Sequence, residues 1–332
     1  MNEKCLLPFD KKRKRIVLKK SKTNTKYGKK PDNQNIKDLL EKSIINLDKP
    51  CGPTSHQVDS WIKKILKTEK IGHSGTLDPK ATGVLPIGIG SATKLLQFLL
   101  PAGKEYISLM RLHKDIDKKK IKDTCEDFIG SISQVPPVRS AVKRIRRKRN
   151  IYYLEILDIK NRDVLIKIGC ESGTYIRTLV VDIAKKLGTN AHLAELRRTR
   201  VGNINEEDSI YLQDLKDAVV FYNEDKDEKI LKEILKPVEE IFDFLPKIII
   251  SDGAVNAICH GADLMIPGIS EIDSEIKKND LVFIKTLKGE AVAIGKMYCS
   301  TNDVTKKEKG ICAKLERVIM KKDTYPSFWK KT

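Results

Sequence analysis

The stretch from Gly72 to Gly83, Gly-His-Ser-Gly-Thr-Leu-Asp-Pro-Lys-Ala-Thr-Gly, constrains this chain more than any other. Glycines at 72, 75 and 83 allow close approach and left-handed backbone, and Pro79 pins the residue that follows the acid Asp78. The stretch is therefore a loop, and it isolates one carboxylate where a bulky ligand can meet it. Taken alone, a Gly/Asp/Pro cluster also reads as a surface turn with an N-capping Asp.

The flanking segments frame that loop. Ser43 to Pro50 reads as a short strand ending in a turn. Thr54-Ser55-His56-Gln57 fits a capping box, and Val58, Trp61, Ile62, Ile65 and Leu66 follow at helical spacing, which predicts a core position for Trp61. After the loop, Val84 to Gly90 reads as a buried strand or turn whose Gly-x-Gly is too short for a dinucleotide site. Gly103 to Met110 reads as a strand carrying Tyr106, and Ile151 to Leu157 and Val164 to Cys170 as two more. Ile176, Leu179, Val180, Ile183, Ala184 and Leu187 mark one helix face, with Gly188 as its C-terminal cap. Arg177 then falls in the first turn, where a cation opposes the helix dipole and must face an anion or water.

Charge narrows the class of partner. Lys plus Arg number 64 against 45 Asp plus Glu, a net +19. Such a field attracts polyanions, nucleic acid foremost. The charge is gathered in blocks: twelve Lys/Arg against two acids in the first thirty residues, and seven Lys/Arg with no acid from Arg139 to Arg149. Residues 19–35 lack apolar periodicity, and residues 1–40 read as a flexible basic arm. Seven scattered cysteines without a Cys-x-x-Cys pair fit reduced thiols in a cytosol, not disulfides or a zinc site. No signal peptide or membrane span is expected.

Gly-His-Ser-Gly-Thr-Leu-Asp-Pro resembles the catalytic loop of RNA pseudouridine synthases of the tRNA pseudouridine-55 and dyskerin type. Lys104-x-Tyr106, Pro136-Pro137-x-x-Ser140-Ala141-x-Lys143, Gly173-Thr174-Tyr175-Ile176-Arg177 and Leu196 extend the resemblance. It implies Asp78 as catalytic residue, Arg177 as its ion-pair partner and Tyr106 as the residue stacking on the target base. His73, Tyr175 and Leu196 would line the pocket. Lys49, Lys80, Lys104, Arg139, Lys143, Arg144, Arg146, Arg147, Arg149, Arg197 and Arg198 would contact RNA. Further on, Asp252-Gly253-Ala254 and Gly261-Ala262-Asp263 with later alternating Gly/Ala resemble a PUA domain, which adds Gly253 and Gly261.

The expected fold is α+β. It comprises a catalytic domain over 41–245, with a mixed, largely antiparallel sheet and flanking helices, and a small β-barrel PUA domain over 246–325. The resemblance implies isomerisation of uridine in tRNA or rRNA, with guide RNA and accessory ribonucleoprotein proteins as partners. No step calls for a cofactor or metal, and the sequence offers no site for one. A non-catalytic RNA-binding scaffold is the alternative, although a scaffold has no need for a paired acid and base. A cytoplasmic location is expected.

Overall fold

The structure is a computed structural model that describes residues 6–136, 143 and 145–327. It divides into two compact units: residues up to Lys11 with Ser43–Leu235, and Lys12–Lys42 with the chain from Lys236 on.

The first unit is built on a mixed sheet. Its strands run in the order Lys42–Lys49, Thr82–Gly90, Ala191–Val201, Lys104–Leu112, Asp163–Cys170, Arg147–Lys160, Gly130–Gln134. The Thr82–Gly90 and Ala191–Val201 strands pair in parallel, while those from Ala191–Val201 to Gly130–Gln134 pair antiparallel. The hairpin joining Arg147–Lys160 to Asp163–Cys170 turns at Asn161, whose φ of 53° suits a residue tolerant of the left-handed region. Helix Ile176–Lys186 buries Leu179, Val180 and Ile183 completely, in one cluster with Met110, Ile166 and Ile168 of the sheet. Removing such a side chain, as in Leu179→Ala, costs about 2–5 kcal/mol. Packing thus fixes the helix end that carries Arg177.

Helix Ser55–Leu66 starts with the expected capping box between Thr54 and Gln57. Trp61 does not join the core: it is 42% exposed, while Val58 and Ile62 are fully buried. A helical stripe sets only which side chains share a face, and here the buried strip is too narrow to include Trp61.

In the second unit a sheet runs in the order Arg15–Val17, Ile269–Asp273, Lys247–Ile250, Leu281–Thr286, Ala291–Met297, Ile311–Val318, Leu264–Met265. Strand Lys247–Ile250 pairs in parallel with Leu281–Thr286, so this sheet too is mixed. Its core gathers Ile248, Val255, Ile284, Val292 and Cys312.

The N-terminal segment departs from the flexible-arm expectation. Arg15–Val17 adds an edge strand to Ile269–Asp273, Ile16 and Leu18 pack on the core, and Arg15 bonds Asp273 at 2.7 Å and Glu271 at 3.2 Å. Three residues are too few to show a strand period among lysines. The change of unit at Lys236 also lies ten residues before the sequence boundary at 246.

Candidate active site

The Gly72–Gly83 loop is clasped on both sides of Asp78. Ser55, in the first turn of its helix, accepts from the Leu77 amide at 3.1 Å and donates to the Leu77 carbonyl at 3.3 Å. On the other side, buried Lys49 donates through Nζ to the carbonyls of Pro50, Pro79 and Ala81 at 2.8, 3.1 and 2.9 Å. The amide of Ala81 closes a turn on the Asp78 carbonyl at 2.9 Å. Gly83 has a φ of 97°, and a Cβ there would stand 2.1 Å from the carbonyl oxygen of Arg198, so only glycine fits. The backbone is held rigidly while the Asp78 side chain remains 52% exposed.

Arg177 meets Asp78 at 3.0 Å, its own side chain 43% exposed. The helix start that delivers it is held by Gln134, whose side-chain amide accepts from the Tyr175 amide at 3.0 Å and donates to the Tyr175 carbonyl at 3.2 Å. Tyr106 and Leu196 lie on the neighbouring strands Lys104–Leu112 and Ala191–Val201, partly buried against the same apolar cluster. Tyr106 stands opposite Arg198 in the strand register, within reach of its charge. Burial pushes the Tyr106 hydroxyl pKa up, and Arg198 only partly offsets that. A half-exposed carboxylate paired with a guanidinium, an aromatic face and an aliphatic wall together suit a flipped-out base.

Residues 63–176 match the TruB family pseudouridylate synthase (N terminal domain), 177–243 the tRNA pseudouridylate synthase B C-terminal domain, 246–319 the PUA domain, and 3–59 the DKCLD domain. A probable tRNA pseudouridine synthase B of Methanopyrus kandleri is 49% identical, over 97% of this chain and 96% of the relative. One from Pyrococcus abyssi is 50% identical over 98% of each. The chain belongs to the TruB family of pseudouridylate synthases. It is also similar to a chain of a crystallised Cbf5-Nop10-Gar1 complex, at 48% identity and a TM-score of 0.94 over 97% of this chain and 99% of that one. A chain of an H/ACA RNP bound to a substrate RNA containing 2'-deoxyuridine matches at 46% identity and a TM-score of 0.92, over 98% and 100%.

Within the synthase several expected RNA contacts turn inward. Lys49 is fully buried and serves the catalytic loop. Lys104, 5% exposed, donates to the carbonyls of Leu100 and Ala102 at 2.6 and 2.7 Å, and burial lowers its pKa to about 7. Arg198, 1% exposed, donates from Nε to the Val84 carbonyl at 2.7 Å and lies under Gly75. Arg197 is gripped by Asp48 and Glu206, at 2.7 and 2.6 Å. Arg149 lies over Gly173 and 3.7 Å from Glu171. None of the three buried cations can reach a phosphate, because each holds protein acceptors inside the core. Lys80, Lys143, Arg146 and Arg147 are exposed. Arg139 and Arg144 lie outside the described residues.

His73 is not open to the pocket: its ring is 7% exposed, with Nδ1 2.7 Å from Asp59 and Nε2 3.1 Å from Thr76.

In the PUA domain a cavity of about 1030 Å³ is lined by Lys19, Lys20, Lys22, Gly253, Met265 and Lys309, among others. Buried Asp252 accepts from Thr23 and from the Asn24 amide through Oδ2, while its Oδ1 has no partner. Gly261 has a φ of 94°, just past the end of helix Asp252–Cys259. Two features escaped the sequence reading. The lysines of the presumed arm wall this cavity, and Tyr298, 51% exposed, has Lys278 and Lys314 each 5.6 Å from its ring centroid. No spacing along the chain signals the latter, since Lys278 lies in a turn, Tyr298 just past the strand Ala291–Met297, and Lys314 on the strand Ile311–Val318.

Proposed function

We propose that this synthase converts specific uridines of tRNA or rRNA to pseudouridine with Asp78 as the catalytic carboxylate, as the catalytic subunit of a guide-directed ribonucleoprotein. The Arg177–Asp78 pair at 3.0 Å, on a loop clasped from both sides, carries this reading. Isomerisation requires the glycosidic bond to break, the uracil to turn while held, and C5 to join C1′ of the ribose. Asp78 acts as an anion, by addition to the nucleoside or by assisting deprotonation at ribose C2′. Arg177 orients it and stabilises the developing charge once RNA excludes water. Tyr106 stacks on the base against Leu196 and Tyr175, and flipping the nucleotide costs roughly a few kcal/mol, offset by stacking and phosphate contacts.

The PUA cavity selects the RNA: its lysines meet phosphates, and the unpartnered Asp252 oxygen accepts from a base amino group. Lys80, Lys143, Arg146 and Arg147 supply general affinity. The similarity to the Cbf5-Nop10-Gar1 chain supports counterparts of Nop10 and Gar1 as partners. No helix among the described residues is long and apolar enough to cross a membrane, and the described cysteines are free thiols, which supports a cytoplasmic location.

Tritium release from RNA bearing 5-³H-uridine tests the reading, with and without guide RNA and accessory proteins. Asp78→Asn is expected to lose at least about a thousandfold in turnover, roughly 4 kcal/mol of barrier, with RNA affinity within a few-fold. Turnover near wild type in that variant would remove Asp78 from the chemistry and favour the scaffold alternative.

A further inference from the structure

Two histidines and an aspartate converge beside the catalytic loop and have no part in the chemistry proposed for Asp78. His56 and Asp59 lie one turn apart on helix Ser55–Leu66, and His73 ends the strand Ile71–His73. His73 Nδ1 stands 2.7 Å from Asp59 Oδ2, and His56 Nδ1 3.9 Å from the same oxygen. One donor atom from each residue lies within 4.8 Å of the other two, and no other group of three His, Cys, Asp or Glu among the described residues does so.

A tetrahedral ion about 2.1 Å from its ligands holds them roughly 3.4 Å apart. The separations of 2.7 and 3.9 Å bracket that spacing. His56, with 84% of its side chain exposed, already holds its ring 5.0 Å from that of His73, edge to face.

A plain His–Asp hydrogen bond would need neither His56 nor a second carboxylate oxygen. Yet Asp59 is 8% exposed and its Oδ1 is buried without a partner, an acceptor left unsatisfied where water does not reach it. On the far side of the ring, His73 Nε2 lies 3.1 Å from Thr76 Oγ1. Outer hydrogen bonds of this kind fix the tautomer and ring plane of a metal-bound histidine.

We propose that His56, Asp59 and His73 form a site for one divalent transition-metal ion, with Zn²⁺ the best match to two imidazoles and a carboxylate. Binding takes the neutral tautomer of His73 whose proton sits on Nε2, where it donates to Thr76 Oγ1 and leaves the Nδ1 lone pair for the metal. Either oxygen of Asp59 can ligate, and the fourth position is open to water. The ion ties helix Ser55–Leu66 to the strand that leads into the Asp78 loop, and so stiffens the loop's entry from a direction that Lys49 does not reach.

Titration of the full chain with Co²⁺, freed of metal beforehand by a chelator, tests this. One equivalent is expected to give the visible absorption of a four-coordinate nitrogen/oxygen site, and Zn²⁺ to displace it. His56→Ala and Asp59→Asn should each weaken Zn²⁺ binding at least about tenfold. Thr76→Val, which would touch no ion, should weaken it about 10- to 100-fold. His113 and His192 form another histidine pair, with ring nitrogens 3.1 Å apart but no acid in the group, and their double variant to alanine should bind as wild type does. Circular dichroism of each metal-free variant guards against unfolding. Absence of the Co²⁺ band in folded wild type, or binding that survives both His56→Ala and Asp59→Asn, overturns the site, and so does binding lost instead with His113 and His192.

Discussion

The two units of this synthase use lysine and arginine in opposite ways. Around the catalytic loop Lys49, Lys104 and Arg198 are buried and hold backbone carbonyls. Around the PUA cavity Lys19, Lys20, Lys22 and Lys309 are exposed and line open space. A buried cation exchanges its hydration for protein acceptors, so what it supplies is position. An exposed one keeps condensed counterions to release onto a phosphate backbone, so what it supplies is affinity. Net charge therefore overstates how many cations around the catalytic loop are open to a ligand, whereas those lining the PUA cavity are exposed.

The sharpest test of the inward-facing set is Arg177, which stands between the two behaviours. Its pair with Asp78 is solvent-open, and exposed ion pairs contribute about 0–1 kcal/mol to stability. Arg177→Met should therefore leave the melting temperature nearly unchanged. Single-turnover conversion should fall about 100- to 1,000-fold, as when one preorganised charge is taken from a developing anion. A small loss of turnover together with a large loss of stability would reverse the assignment.

Lys49→Met should destabilise the protein by about 2–3 kcal/mol in urea unfolding, since the carbonyls of Pro79 and Ala81 lose their donor. The salt dependence of RNA binding should not change. A flatter salt slope in this variant would show that Lys49 meets RNA after all and would break the contrast.

For the outward-facing set, replacing Lys19, Lys20 and Lys22 with glutamine should flatten the plot of log affinity against log salt by about 2–3 units, at roughly 0.7–0.9 per phosphate contact. Affinity at moderate salt should fall about tenfold or more, with unfolding unaffected. An unchanged slope would mean that the cavity takes something other than RNA.

The remaining effect is a pH dependence. The pKa of Lys104 is about 7 in the folded chain and near 10.5 when unfolded. Below pH 7 both states carry the proton and folding bears the full cost of burying the charge. Between about 7 and 10.5 the unfolded state holds more protons, so stability rises with pH by at most about 1.4 kcal/mol per unit. Lys104→Met has no such proton, and the difference in melting temperature between variant and wild type should shift toward wild type from pH 6 to pH 9. A pH-independent difference would place the Lys104 ammonium in contact with water.

Much of the scaffold was legible because its signals are local. The Thr54–Gln57 capping box and the helix face from Ile176 each depend on residues within a few positions of one another. Trp61 and the N-terminal segment were not legible in the same way. Whether Trp61 is covered depends on how wide a strip its neighbours bury, and Arg15–Val17 becomes a strand only because Ile269–Asp273 offers it an edge.

The sequence alone determined the chemistry-bearing parts: one acid on a glycine-rich loop, an arginine at a helix start, a tyrosine on a strand, and a large positive charge. Their motifs are short-range, and a helix start or a left-handed glycine is set by sterics within a few residues. Only the tertiary structure decided which cations are buried and which stay exposed, because burial depends on partners far away in the chain. Lys49 finds its acceptors at Pro79 and Ala81, about thirty residues on, and Arg198 finds Val84 more than a hundred residues back. His56, Asp59 and His73 likewise come together only once helix Ser55–Leu66 packs beside strand Ile71–His73, since no spacing along the chain announces a site shared between two elements.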